Sequence, residues 1–177
     1  GVSAESPGGV IMVFPANHKY RRRTEGTSLT GGKGMGYVYA DIELTSEKDL
    51  LSYQDRNLRE DEIRKVTIRA LVDSGAYDLV INQEIKEQLD LPVRGKRLIK
   101  LADETLLEVE IVGPVEVRFE DRATSVRALV LPGLEEVLLG AIPLEGLDVI
   151  IDPLRERLLV NPPDFTNSYI RQISLSA

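Results

Sequence analysis

A chain of 177 residues, 42% of them hydrophobic, is long enough to build one domain with a core of its own. Its formal net charge of −7 argues against a general nucleic-acid binder, which carries a basic stripe. Without cysteine there are no disulfides, no thiolate catalysis and no cysteine-held metal, and the single histidine, His18, cannot build a histidine-rich zinc site. His18 also lies outside every patterned segment, which excludes a serine–histidine–aspartate triad. No apolar run approaches transmembrane length, and Val10–Phe14 is too short for a signal-peptide core. These features set the expectation of a soluble, cytoplasmic protein with no membrane segment.

Residues 1–34 are rich in Gly, Ser, Pro and Thr and lack periodic patterning, which predicts a flexible N-terminal arm. Lys19–Arg23 is a short cationic patch within it and reads as solvated. Gly31–Gly36 invites a phosphate-loop reading that fails, because Thr27 and Gly34 stand where that loop requires glycine and a hydroxyl residue. A patterned domain is expected over 35–163 and a tail over 164–177.

Within the domain, Val38, Ala40, Ile42 and Leu44 alternate with polar residues, the pattern of a half-buried strand. Residues 45–62 are polar and predict a long connection. Val66, Ile68, Ala70 and Val72 share the face of a second strand, and Leu79–Ile81 forms a third. Asn82 is placed to cap a short helix through Leu89, carried by Ile85 and Leu89 and ended by Pro92. Two hairpins are expected next: 97–101 with 106–112, then 115–119 with 125–131. Pro132-Gly133 breaks the chain. Val137–Gly140 is an apolar strand, Pro143–Leu147 a helical turn, and 149–151 with 158–160 a last hairpin. Asp148 and Asp152 read as turn or cap residues and Glu60–Glu62 as a solvated charge run. The expected class is all-β, a closed barrel or sandwich with one or two short helices.

The most informative motif is Asp73-Ser74-Gly75-Ala76, set between the apolar runs Val66–Val72 and Leu79–Ile81. A carboxylate at the end of a buried strand, followed by a small hydroxyl residue and glycine, suits a loop that presents an acid into a cleft. Glycine lets the backbone turn tightly and lets another chain approach. An acidic turn between strands is the plainer reading of these residue types. The motif occurs once, so a catalytic Asp73 would be half of a two-carboxylate site and the molecule would work as a pair.

Taken in order, Leu71–Ala76, Ala102-Asp103-Glu104-Thr105, Val137–Glu145, Asp152-Pro153 and Val160-Asn161-Pro162 resemble the retropepsin-like aspartic proteases, above all their small bacterial branch. The resemblance covers about residues 35–163. It implies a homodimeric acid-protease fold acting on peptide or protein substrates, with no metal or organic cofactor. It makes Asp73 the catalytic carboxylate. Ser74 would hydrogen-bond across the dimer seam, and Gly75 and Ala76 would complete the catalytic loop. Ala102, Asp103, Glu104 and Thr105 would form the flap tip over the substrate. Leu138, Leu139 and Gly140 would pack beneath the catalytic loop. Retroviral members place Arg after that glycine and carry a glycine-rich flap; this chain has Ala141 and Ala-Asp-Glu-Thr. Those departures keep open a non-catalytic dimeric peptide-binding or scaffold domain of the same fold. Val10–Pro15 is apolar and extended, as a retropepsin cleft would accept, so it reads as a self-processing site, a cleft occupant or, more plainly, an unstructured leader.

Overall fold

The computed structural model describes residues 13–14 (backbone only), 37–101 and 103–162. The expectations placed on the remainder of 1–34, on His18 and Lys19–Arg23, and on 164–177 lie outside these residues. Among the described residues ten strands run β1 Val13–Phe14, β2 Val38–Ser46, β3 Lys65–Val72, β4 Leu79–Ile81, β5 Val93–Leu101, β6 Leu106–Phe119, β7 Arg122–Val130, β8 Leu138–Leu139, β9 Val149–Asp152 and β10 Arg157–Val160. The helices are α1 Glu47–Gln54, α2 Gln83–Gln88 and α3 Ala141–Leu147, with a 3-10 turn at Glu60–Glu62. The architecture is mostly β with few short helices, in keeping with an all-β protease fold.

Eight strands form one sheet in the order β1-β5-β6-β2-β3-β8-β4-β7, and β7 also pairs with β6, so the pairing returns on itself. Strand side chains alternate between faces, and this sheet buries apolar groups on both. One face carries Ala40, Ile42, Leu44, Ala70, Leu79, Ile81, Val117, Val130 and Leu139 in the main core. The other carries Leu71, Val80, Ile99, Val109, Leu129 and Leu138 in a second cluster. Double-sided burial is why Leu79–Ile81 and Leu138–Leu139 are uninterrupted apolar runs instead of alternating ones.

Three expectations are corrected. Among the described residues there are three α-helices where one or two were expected, because the polar connection folds. Ser46, fully buried, accepts from the Asp49 backbone N–H at 3.4 Å as the cap of α1. Asp49, only 4% exposed, in turn accepts the Arg64 backbone N–H at 2.9 Å and tethers α1 to the start of β3. Second, the strands expected at 106–112 and 115–119 are one strand, β6. Gly113 takes φ +120° and the pairing with β7 shifts register between Val112 and Val115, so the strand bends without ending. Third, α3 begins at Ala141; Pro143 sits in its first turn, where its missing N–H costs nothing.

Asp148 caps α3 in the left-handed region at φ 53°. Its carboxylate accepts from the Asn161 amide at 2.9 Å and from Arg122 at 3.3 Å, which joins α3, β7 and the end of β10. The Asn161 hydrogen bond, assisted by Arg122, holds the Asp148 carboxyl below its ordinary value. A depressed carboxyl contributes stability above its unfolded-state pKa and loses it as pH falls through the folded one. Wild type is therefore expected to melt higher than Asp148→Asn at neutral pH, with the gap closing below about pH 4. Thermal unfolding of both proteins across pH checks this.

Candidate active site

β3 ends at Val72, and the chain turns at once. The Asp73 backbone N–H donates to the Leu139 carbonyl at 3.0 Å, and the Asp73 carbonyl accepts from the Ala76 N–H at 3.1 Å. The Asp73 carboxylate, half-buried, accepts the Gly75 backbone N–H at 3.0 Å through Oδ1. Ser74 and Gly75 are exposed, while Ala76 is buried in the second apolar cluster. The loop thus presents a carboxylate, a hydroxyl and an open backbone outward, on a base anchored inward.

The base is β8 and α3. β8 runs parallel to β3 with Leu71 beside Leu138 and Val72 beside Leu139, and the Leu71 N–H donates to the Val137 carbonyl at 2.8 Å. At Gly140 a Cβ would lie 2.3 Å from the Asp78 carbonyl oxygen and 2.8 Å from that of Ala76. Only glycine permits that approach. The first N–H groups of α3 then donate to the loop: Ala141 to the Ala76 carbonyl at 2.7 Å and Ile142 to the Tyr77 carbonyl at 2.8 Å. Position 141, where the retroviral pattern has Arg, is thus tied to the Asp73 loop through its backbone.

The hairpin β5–β6 carries the candidate flap. Leu101 N–H donates to the Thr105 carbonyl at 2.7 Å and Glu104 N–H to the Leu101 carbonyl at 3.0 Å, with Glu104 at φ 71°. Asp103 is exposed and accepts the Thr105 N–H at 3.0 Å; Thr105 holds its carboxyl below the usual range. Ala102 lies outside the described residues. Ile99 and Val109 from the same hairpin are buried with Ala76 and Val80, and Leu101 and Leu107 pack against them. The β5–β6 hairpin and the Asp73 loop therefore share one apolar cluster. The backbone of Val13–Phe14 pairs in parallel with Lys100–Leu101, at the flap end of β5.

Two residues absent from the sequence candidates belong here. Arg97 of β5 donates to Asp78 Oδ2 at 2.8 Å, linking the β5–β6 hairpin to the end of the Asp73 loop. Burial pushes the Asp78 carboxyl above its ordinary value, against the opposing pull of Arg97. The available signal was weak: a charge standing directly before the buried triplet Leu79–Ile81, and another within an alternating strand. A separate cavity of about 510 Å³, lined by Tyr37, Tyr39, Ala40, Asp41, Arg69 and Glu156, contains no residue of the loop or flap. Among the described residues no cluster of histidine, aspartate and glutamate has the arrangement to hold a metal ion.

Residues 61–141 match the aspartyl protease family. The match begins in the 3-10 turn and ends at the first residue of α3, so it contains β3, the Asp73 loop, the flap hairpin and β8. It supports the resemblance to retropepsin-like aspartic proteases, and with it a peptidase. No curated protein matches the chain. The aspartyl protease match leaves β2 and the β9–β10 hairpin outside it.

Gly140→Ala is expected to destabilise the fold by about 3 kcal/mol or more, since the new methyl meets backbone that cannot yield. Gly95→Ala, where an added Cβ meets nothing within 4 Å, is expected to change stability by under about 0.5 kcal/mol. Urea denaturation of both variants reads the contrast.

Proposed function

We propose that the protein is a homodimeric aspartic endopeptidase whose two Asp73 side chains, one from each subunit, activate a water molecule between them. The observation that carries this reading is a half-buried carboxylate on a braced loop, inside the stretch that matches aspartyl proteases. Two carboxylates brought close by a two-fold axis cannot both ionise easily; they share a proton, and their titration belongs to the pair. The ionised member takes a proton from the water as it attacks the scissile carbonyl. The protonated member donates to the carbonyl oxygen. Water supplies the nucleophile and the pair supplies both proton transfers, so the step needs no cofactor.

In this reading the Ser74 hydroxyls hydrogen-bond across the seam, and Gly75 leaves room for the two loops to meet. A peptide lies extended between the loops and residues 102–105, adding strand-like hydrogen bonds to the flap. Apolar substrate side chains fill pockets on either side of the cut. The family match does not favour the alternative of a non-catalytic peptide-binding or scaffold domain.

The test is incubation of wild type and Asp73→Asn with a mixed peptide pool across pH, with products read by mass spectrometry. Wild type is expected to cut at acidic to mildly acidic pH, with cleavage falling on both sides as the pair becomes doubly protonated or doubly ionised. Asp73→Asn is expected to remain folded and cut nothing. Cleavage retained in Asp73→Asn rules the reading out, and peptide binding without cleavage at any pH transfers support to the scaffold alternative.

A further inference from the structure

Asp78 closes the catalytic loop, five residues beyond Asp73, and Arg97 lies in the middle of β5 on the way to the flap tip. Their side chains meet at 2.8 Å, 13% and 29% exposed respectively. The Asp78 backbone is also closely packed, its carbonyl lying against Gly140 at a distance that admits no side chain there. Asp78 is therefore a rigid post. β5 is hydrogen-bonded to β6 along its length, with Arg97 beside Val109. The hairpin also meets the loop and β4 through apolar groups, Ile99 and Val109 sharing a buried cluster with Ala76 and Val80. Apolar contacts are non-directional and tolerate sliding. A partly buried, hydrogen-bonded ion pair is directional and resists it.

We propose that Asp78 and Arg97 are a positioning pair that sets the flap hairpin at its working height over the Asp73 loop. The proposal rests on the reading of 102–105 as a flap. It assigns the pair no part in proton transfer: neither residue is needed to activate water. Its work is to hold two substrate-binding surfaces at the separation an extended peptide requires. Loss of the pair leaves the hairpin held through β6 in the sheet but its β5 side less fixed over the loop, so substrate binding weakens more than the chemical step.

The test uses Arg97→Met, which keeps the apolar stem, Asp78→Asn, and the double variant. Lys96→Met serves as control, because Lys96 makes an exposed pair with Glu108 on the same hairpin. Two readouts are taken: hydrogen exchange of backbone amides over 98–107, which requires no activity, and KM and kcat on a cleaved peptide. Arg97→Met is expected to speed flap exchange several-fold and raise KM roughly tenfold, with kcat within about twofold of wild type. The double variant is expected to be no worse than the worse single, since both remove one interaction. Lys96→Met is expected to leave both readouts unchanged. Unchanged exchange in a folded Arg97→Met, or effects that add in the double variant, overturn the proposal. If Arg97→Met does not fold, Arg97→Lys, which keeps the charge but loses the planar fork, is measured in the same way. A wild type that cuts no peptide defeats the protease reading, while the exchange measurement still decides whether the pair holds the hairpin.

Discussion

Four backbone hydrogen bonds hold the end of β3 and the loop that follows it: Leu71 to Val137, Asp73 to Leu139, Ala141 to Ala76 and Ile142 to Tyr77, all between 2.7 and 3.0 Å. Each is worth only about 1 kcal/mol net. Their importance is geometric. They come from one short run, Val137, β8 and the start of α3, which turns at Gly140. Apolar burial on both faces of the sheet keeps β3, β8 and β4 in register, so the four bonds act together. Remove the clearance at Gly140 and the carbonyls of Ala76 and Asp78 must move away from it, the first of them an acceptor in this set.

That brace bears on the departure at position 141. An arginine there would act through its side chain; alanine leaves the backbone N–H to do the holding, and it donates to the Ala76 carbonyl at 2.7 Å. The loop is therefore organised by contacts within one chain. Tyr77 and Ile142, 45% and 47% exposed, stand beside it as large apolar surface. In the proposed dimer, a loop organised in this way lowers the ordering cost of bringing two such loops together.

Much of this was legible because it follows short periods. Alternation marked β2 and β3, Asn82 with Ile85 and Leu89 marked α2, and the doubly buried runs marked β4 and β8. The acid at the end of β3 stood out because its neighbours are apolar on both sides. Other features depend on contacts between distant residues and leave no such trace. Helix α1 has a cap at Ser46 but no apolar stripe, and its anchor is Asp49 reaching Arg64. Gly113 reads as a break, yet here it bends a strand that continues. Asp78 and Arg97 are ordinary charges until the fold brings them to 2.8 Å.

The central claim is that one active site is made by two chains. Mixing wild type with Asp73→Asn at fixed total concentration, under conditions that exchange subunits, tests it most directly. Shared sites predict peptide cleavage that follows the square of the wild-type fraction, so an equal mixture retains about one quarter of full activity. A straight-line dependence, with half the activity in the equal mixture, would show that each chain cuts alone and would contradict the account.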